Sequence, residues 1–258
     1  LIKTLGPGIL FASTAIGVSH LVQSTRAGAD YSFGLIAAII IANLLKYPFF
    51  EYGSRYANST GTSLIDGYKK MGKWMLILYF IITISTMFFV TAAVGMVTAG
   101  FMENLFGIDT PMLMNSILFI ICLLILIIGK YSLLDSLIKI IGGVLLISTI
   151  LAFSLTLFHG PLHPQQFQLP DLFWTNKKDI GFLIALMGWM PTAIDLSAWN
   201  SLWTIERIKQ TGYKPSLKET LFDFNFGYLI SALLSICFVT LGAYIMYGGN
   251  SVISNNKA

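Results

Sequence analysis

Seven apolar runs, separated by short charged or glycine-containing segments, leave this chain few ways to fold. Met112 to Ile128 carries no charge at all. Crossing a bilayer takes about 20 consecutive, mostly apolar residues. Inside hydrocarbon each backbone N–H and C=O must be satisfied within the protein, which makes helices of such runs. Composition agrees, since 11% of residues are charged where soluble domains carry about 25%. The 258 residues are therefore read as an all-α polytopic membrane protein. The net charge of +4 comes from basic residues in short loops, so the lipid bilayer is the expected partner and nucleic acid is not. Cys122 and Cys237 sit in apolar runs and read as small core residues. No cleavable signal peptide is visible, and the first residue is Leu, so a trimmed amino terminus is expected.

The first run, Pro7 to Asp30, organises the rest. An apolar half, Pro7 to Ile16, and a second half, Leu21 to Ala29, flank Gly17-Val18-Ser19-His20. Two readings stand. In one, the helix breaks at mid-depth, which lipid tolerates only where the break faces protein or a watery cavity. In the other, the helix is plain, Gly17 packs on a neighbour and His20 bonds a backbone carbonyl. Further spans are expected at about 33–50 (running on through Arg55), 74–106, 112–128, 133–158, from 180, and 222–247. Gly129-Lys130-Tyr131 makes a tight connection, and 159–179 forms a polar loop holding His159 and His163. Trp74, Phe158 and Trp174 read as interface anchors, and Lys46 and Glu51 as snorkelling or paired side chains.

Lys and Arg in short loops set orientation. With a cytoplasmic amino terminus, Lys3, Arg55, Lys69, Lys70, Lys73, Lys130, Arg207, Lys209, Lys214 and Lys218 all face the cytoplasm. Only Arg26, Lys177, Lys178 and Lys257 then lie outside, so the 159–179 loop is expected to be extracellular.

The sixth span repeats the pattern of the first. Apolar residues from Ile180 to Trp189 lead into Met190-Pro191-Thr192, and a more polar half follows with Asp195, Ser197, Trp199 and Asn200. Proline within a helix removes a hydrogen bond and clashes with the preceding turn. Interrupted spans five apart suit two inverted five-helix repeats, which place substrate at the midplane between discontinuous helices. On this reading residues 1–158 form the first repeat. Residues 180–258 supply two helices of the second plus a polar tail, with truncation after the seventh span or a partner chain supplying the rest.

Several stretches, in order, resemble the NRAMP family of proton-coupled divalent-metal transporters. They are Gly6-Pro7-Gly8, Arg26-Ala27-Gly28-Ala29-Asp30-Tyr31, Ala42-Asn43-Leu44-Leu45, Ser59 to Leu64, Lys130-Tyr131, Met190-Pro191 and Phe222-Asp223. The resemblance implies a LeuT-like inverted-repeat core with broken first and sixth helices, symport, and a bacterial plasma-membrane location. It places the family's metal-binding D-P-G-N on Gly17, Val18, Ser19 and His20, so the carboxylate is gone and the amide has become an imidazole. The family's M-P-H becomes Met190-Pro191-Thr192, and a later family histidine falls at Ser197. Backbone carbonyl ligands are implied near Thr14 and Met187.

Three side chains are candidate metal ligands: His20, Met190 and Asp195. A thioether and an imidazole suit borderline-to-soft divalent ions rather than Mg or Ca. Asp195 lies five residues past Met190, about 140° round an ideal helix, so both face inward only if Pro191 breaks it. The other reading of Asp195 is a pair with Arg26 or His20, or a cap on a helix end; that of Met190 is packing. His20, Gln23 and Ser24 share one face of an ideal helix, and Asp195 and Trp199 another. The substrate-binding candidates are thus Thr14, Gly17, Ser19, His20, Gln23, Met187, Met190, Thr192, Asp195 and Trp199.

The leading expectation is a secondary transporter moving a divalent cation by alternating access, with proton coupling through His20 and Asp195. A small solute held by Ser19, Gln23, Trp199 and the half-helix dipoles is the alternative, and a non-transporting membrane subunit is a third. No resident cofactor is expected, since the metal ion would be cargo. No nucleophile–base constellation or phosphate loop argues for an enzyme.

Overall fold

The computed structural model describes residues 6–107, 110–128, 131–163 and 176–249. Every regular element among them is helical. The described residues form two compact units, 6–64 with 138–249, and 65–137.

In the smaller unit, α4 (Leu64–Met71) precedes α5 (Lys73–Phe106) and α6 (Pro111–Ile128). Pro111 opens α6, where its missing N–H has no intrahelical partner to lose. Helices α5 and α6 pack together where Gly95 approaches Asn115 and Phe119. Most of their large apolar side chains, including Phe80, Phe88, Phe89 and Leu126, are exposed. So much uncovered apolar surface is stable against hydrocarbon and not against water.

The larger unit holds the candidate site. Its first span comprises α1 (Pro7–Ala15), a π-helical segment (Ser19–Ser24) and α2 (Thr25–Tyr31). The second span is α3 (Ile36–Thr60), unbroken through Pro48. Then come α7 (Tyr131–His159), α8 (Lys177–Trp189), α9 (Leu196–Thr211) and α10 (Leu217–Ile245). Helix α10 lies along α1, the π segment, α2 and α3, while α3 also packs on α8 and α9. A capping box of Ser216 and Glu219 starts α10.

Contact between α10 and the first span is backbone-close at two levels. A Cβ on Gly8 or on Gly227 would run into the other helix's main chain, and so would one on Gly28 or Gly242. Such small-residue contacts are how helices associate in lipid, where apolar burial gives no drive. Between those levels, the fully buried ring of Phe11 lies 5.2 Å from Phe50 and 5.6 Å from both Phe224 and Tyr228. The buried carboxylate of Asp223 accepts the Gly6 N–H at 3.1 Å and the Gly8 N–H at 2.7 Å. It thereby satisfies amides that the start of α1 leaves open. Asn58 donates to Pro215 O and Thr220, and Asn200 to Ser54, tying α3 to α9 and to the start of α10.

The helices fall close to the spans expected from sequence, with three differences. Helix α4 was not foreseen; its charged residues dilute the apolar signal. The second half of the first span begins at Ser19, not Leu21, and opens as a π helix. Lys46 does not pair with Glu51: Glu51 takes Arg55 at 2.6 Å one turn on, and the half-buried Lys46 bonds carbonyls of α8. Trp74 and Phe158 are exposed at helix ends, as befits anchors, and His163 is exposed. Lys3, Lys130, Trp174, Lys257, and residues 164–175 of the loop lie outside the described residues.

Gly8→Val and Gly227→Val are each expected to cost about 1–3 kcal/mol, the usual penalty of overpacking. Gly143→Ala, where a Cβ meets open space, should leave the melting temperature in detergent unchanged or raised.

Candidate functional site

The first break follows Ala15. Ile16 leaves the helix with ψ at 61° while its N–H still reaches Ala12 O. Gly17 N–H bonds Ala15 O at 2.8 Å, and Gly17 O accepts the N–H groups of His20 and Leu21. The Ser19 hydroxyl lies 2.7 Å from Ala15 O. Ala15 O and Gly17 O are thus taken up beside the break, as a low-dielectric setting demands.

The second break runs from Met190 to Asp195. A residue before proline is pushed out of the α region, and Met190 is extended with ψ at 131°. The Met190–Pro191 peptide is cis. Helix α9 restarts at Leu196 with Asp195 as its N-cap residue. At the end of α8, Leu186 O keeps the Met190 N–H. The Lys46 ammonium donates to Met187 O at 2.8 Å and to Gly188 O at 2.6 Å.

The two breaks face each other. Ser24 Oγ lies 3.8 Å from Met190 Sδ, and Ser19 Oγ lies 3.4 Å from Pro191 O. Met190 is fully buried among Ala27, Leu35, Ile39, Ala42, Leu186 and Val239. His20 is fully buried too. Its Nε2 lies 2.9 Å from Ser231 O and its Nδ1 2.9 Å from Ser19 Oγ. A carbonyl oxygen only accepts, so the proton is assigned to Nε2, leaving the Nδ1 lone pair towards Ser19.

The π turn alters the face read from the sequence. His20, Gln23 and Ser24 do not share one surface: His20 points to α10 and Ser24 to α8. The wider turn is visible in the Ser24 hydroxyl reaching Ser19 O, five residues back. Gln23 Oε1 is buried with no hydrogen-bond partner.

The other expected residues are distributed unevenly. Thr14 spends its hydroxyl on Leu10 O and Phe11 O within its own helix. Gly17 lies in the first break and Thr192 in the second, both half-buried, and Met187 packs beside the Met190 cluster. Asp195 is half-buried. Of its expected partners, His20 gives its ring nitrogens to Ser19 and Ser231, and Arg26 lies over the Phe182 ring at 5.6 Å. Trp199 is 45% exposed, its ring edge-on to Trp203. Among the described residues no three His, Cys, Asp or Glu side chains gather as a metal cluster. What converges is a set of neutral donors (carbonyls, hydroxyls, a thioether and an imidazole) beside one ammonium.

Sequence reasoning read Lys46 only as a snorkelling or paired side chain and passed over Ser231. A lysine inside an apolar span is a signal that was there to be followed. Ser231 acts through its main chain, for which its residue type gives no sign.

Met190→Leu keeps the volume and is expected to cost less than about 1.5 kcal/mol. Met190→Ala opens a cavity and should cost about 2–5 kcal/mol. Melting curves of the two variants in detergent measure the contrast.

Comparison with known proteins bears on this geometry. The chain is 37% identical over 253 residues to an uncharacterized protein of Pasteurella multocida, covering 96% of this chain and 58% of that one. It is 24% identical over 258 residues to the divalent metal cation transporter MntH of Levilactobacillus brevis, covering 96% and 54%. The chain thus spans a little over half the length of these curated relatives. A family model for natural resistance-associated macrophage protein-like proteins matches residues 8–258. With that match over nearly its whole length and helices apolar enough to cross a bilayer, the chain is a multi-pass integral membrane protein and belongs to the Nramp family.

Proposed function

We propose that this chain is the core of a secondary active transporter that moves a divalent metal cation by alternating access, with the cation held between the broken first and sixth spans. The observation that carries the reading is the meeting of the two breaks, Ser24 against Met190 and Ser19 against Pro191. Discontinuous helices facing each other at mid-depth are where secondary transporters place their substrate. The metal-transporter name of the Levilactobacillus brevis relative supports the choice of cargo. Met190 Sδ, the Nδ1 lone pair of His20 and the carbonyls at the end of α8 are donors for a borderline-to-soft ion, and Asp195 supplies charge from the start of α9.

On this reading the chain is a LeuT-like inverted repeat. The first five spans, residues 1–158, form one unit, and α8 to α10 begin the second. The bias of Lys and Arg among the short loops favours a cytoplasmic amino terminus with residues 159–179 outside, and the bacterial relatives favour a bacterial plasma membrane. His20 and Asp195 serve proton coupling.

One observation favours a different cargo on the same scaffold. The donors that converge are neutral and the carboxylate expected in the first break is absent, which makes a divalent charge costly to bury. A small polar solute held by Ser19, the unpartnered Gln23 Oε1 and the half-helix ends fits that set.

Uptake of Mn²⁺ or Cd²⁺ into proteoliposomes should fall by about tenfold or more in His20→Ala and in Asp195→Ala, the loss of one charged or ligating contact. Uptake at the wild-type rate in both variants removes the site assignment. Stabilisation of the purified chain by solutes and by no metal selects the second cargo.

A further inference from the structure

Lys46 is the lysine whose contacts end on the last turn of α8, just before the second break. It sits in the interior of α3, between the exposed Leu44 and Leu45 and the aromatic Tyr47. A half-buried charged side chain within a membrane span is expensive and needs a named partner. Its partners are the main-chain carbonyls of Met187 and Gly188, at 2.8 and 2.6 Å. Glu51, the acid one turn along the same helix, is taken by Arg55.

Those carbonyls are a particular place. The last four C=O groups of a helix lack intrahelical partners and carry the negative end of its dipole. At the end of α8, Leu186 O is used by the Met190 N–H, and the next two carbonyls are given to the ammonium. Unwound carbonyls and half-helix C-termini are what a broken span offers to a transported cation. A cation is therefore already seated there, and it belongs to the protein.

We propose that Lys46 is a tethered surrogate cation that occupies the carbonyl end of α8 and sets the cation specificity of the site. The inference rests on the metal-transport reading above. A metal ion obtains the Met187 and Gly188 oxygens only when the lysine side chain withdraws, so the wild-type site is biased against divalent charge. The flexible four-carbon stem makes withdrawal a rotamer change that leaves the backbone in place. The ammonium also serves as the C-terminal cap of α8.

Isothermal titration of Mn²⁺ into the intact chain in detergent tests this, with melting temperatures confirming that each variant is folded. Lys46→Met keeps length without charge, Lys46→Gln keeps an uncharged donor, and Lys46→Arg keeps the charge. The expected result is Mn²⁺ binding tighter by about tenfold or more in Lys46→Met and Lys46→Gln, the scale of one charged hydrogen bond, with Lys46→Arg binding as weakly as wild type. In the absence of metal Lys46→Met should melt below wild type, and Mn²⁺ should restore it. Equal Mn²⁺ affinity in wild type and all three variants overturns the role of Lys46 and leaves metal transport standing. Absence of binding in wild type and variants alike, up to millimolar Mn²⁺, overturns both.

Discussion

Backbone hydrogen bonding in a medium that offers none of its own is the constraint on which this structure depends. A helix that stops at mid-membrane leaves carbonyls and amides that lipid cannot satisfy. Each interruption here is closed by a specific group. Ser19 turns back to Ala15 O, Gly17 O takes two amides, Lys46 covers Met187 O and Gly188 O, and Asp223 takes the amides of Gly6 and Gly8. The broken spans are stable because the polar side chains of the apolar runs are placed where the main chain stops bonding to itself.

Helix α10 gives the first break its geometry. Glycine contacts bring its backbone against both α1 and α2, on either side of the interruption. Ser231 O then reaches the His20 ring from the same helix. The result is a first span held along its length by one straight neighbour, with its open side turned to Met190 and Pro191. The sixth span is held differently: Lys46 grips one side of its break, and the α3–α9 contacts fix the other.

Much of this was legible in the sequence. Pro191 after Met190 marked the second interruption, because proline lacks the N–H of an i to i−4 bond; at Gly17 the sequence left a broken and a plain helix both open, since glycine only lowers the cost of leaving the helix. The apolar runs marked the spans, and the ordered motifs marked the family. The direction of side chains at the site was not legible. Periodicity put His20, Gln23 and Ser24 on one face because it assumed 3.6 residues per turn, and a π turn does not keep that count. The partner of His20 is a main-chain oxygen that any residue would supply. Lys46 was visible as a charge in an apolar run, but its target depends on where α8 stops, which the tertiary packing decides.

The hydroxyl of Ser19 has one proton and three neighbours able to receive it: Ala15 O, Pro191 O and Nδ1 of His20. Whichever it serves, two lone pairs stay unclaimed by that proton. The seam between the broken spans is therefore rich in electron pairs and short of hydrogens. Turning that one hydroxyl changes which acceptors are left open, so the seam can exchange hydrogen bonds while both broken spans keep their main chains in place.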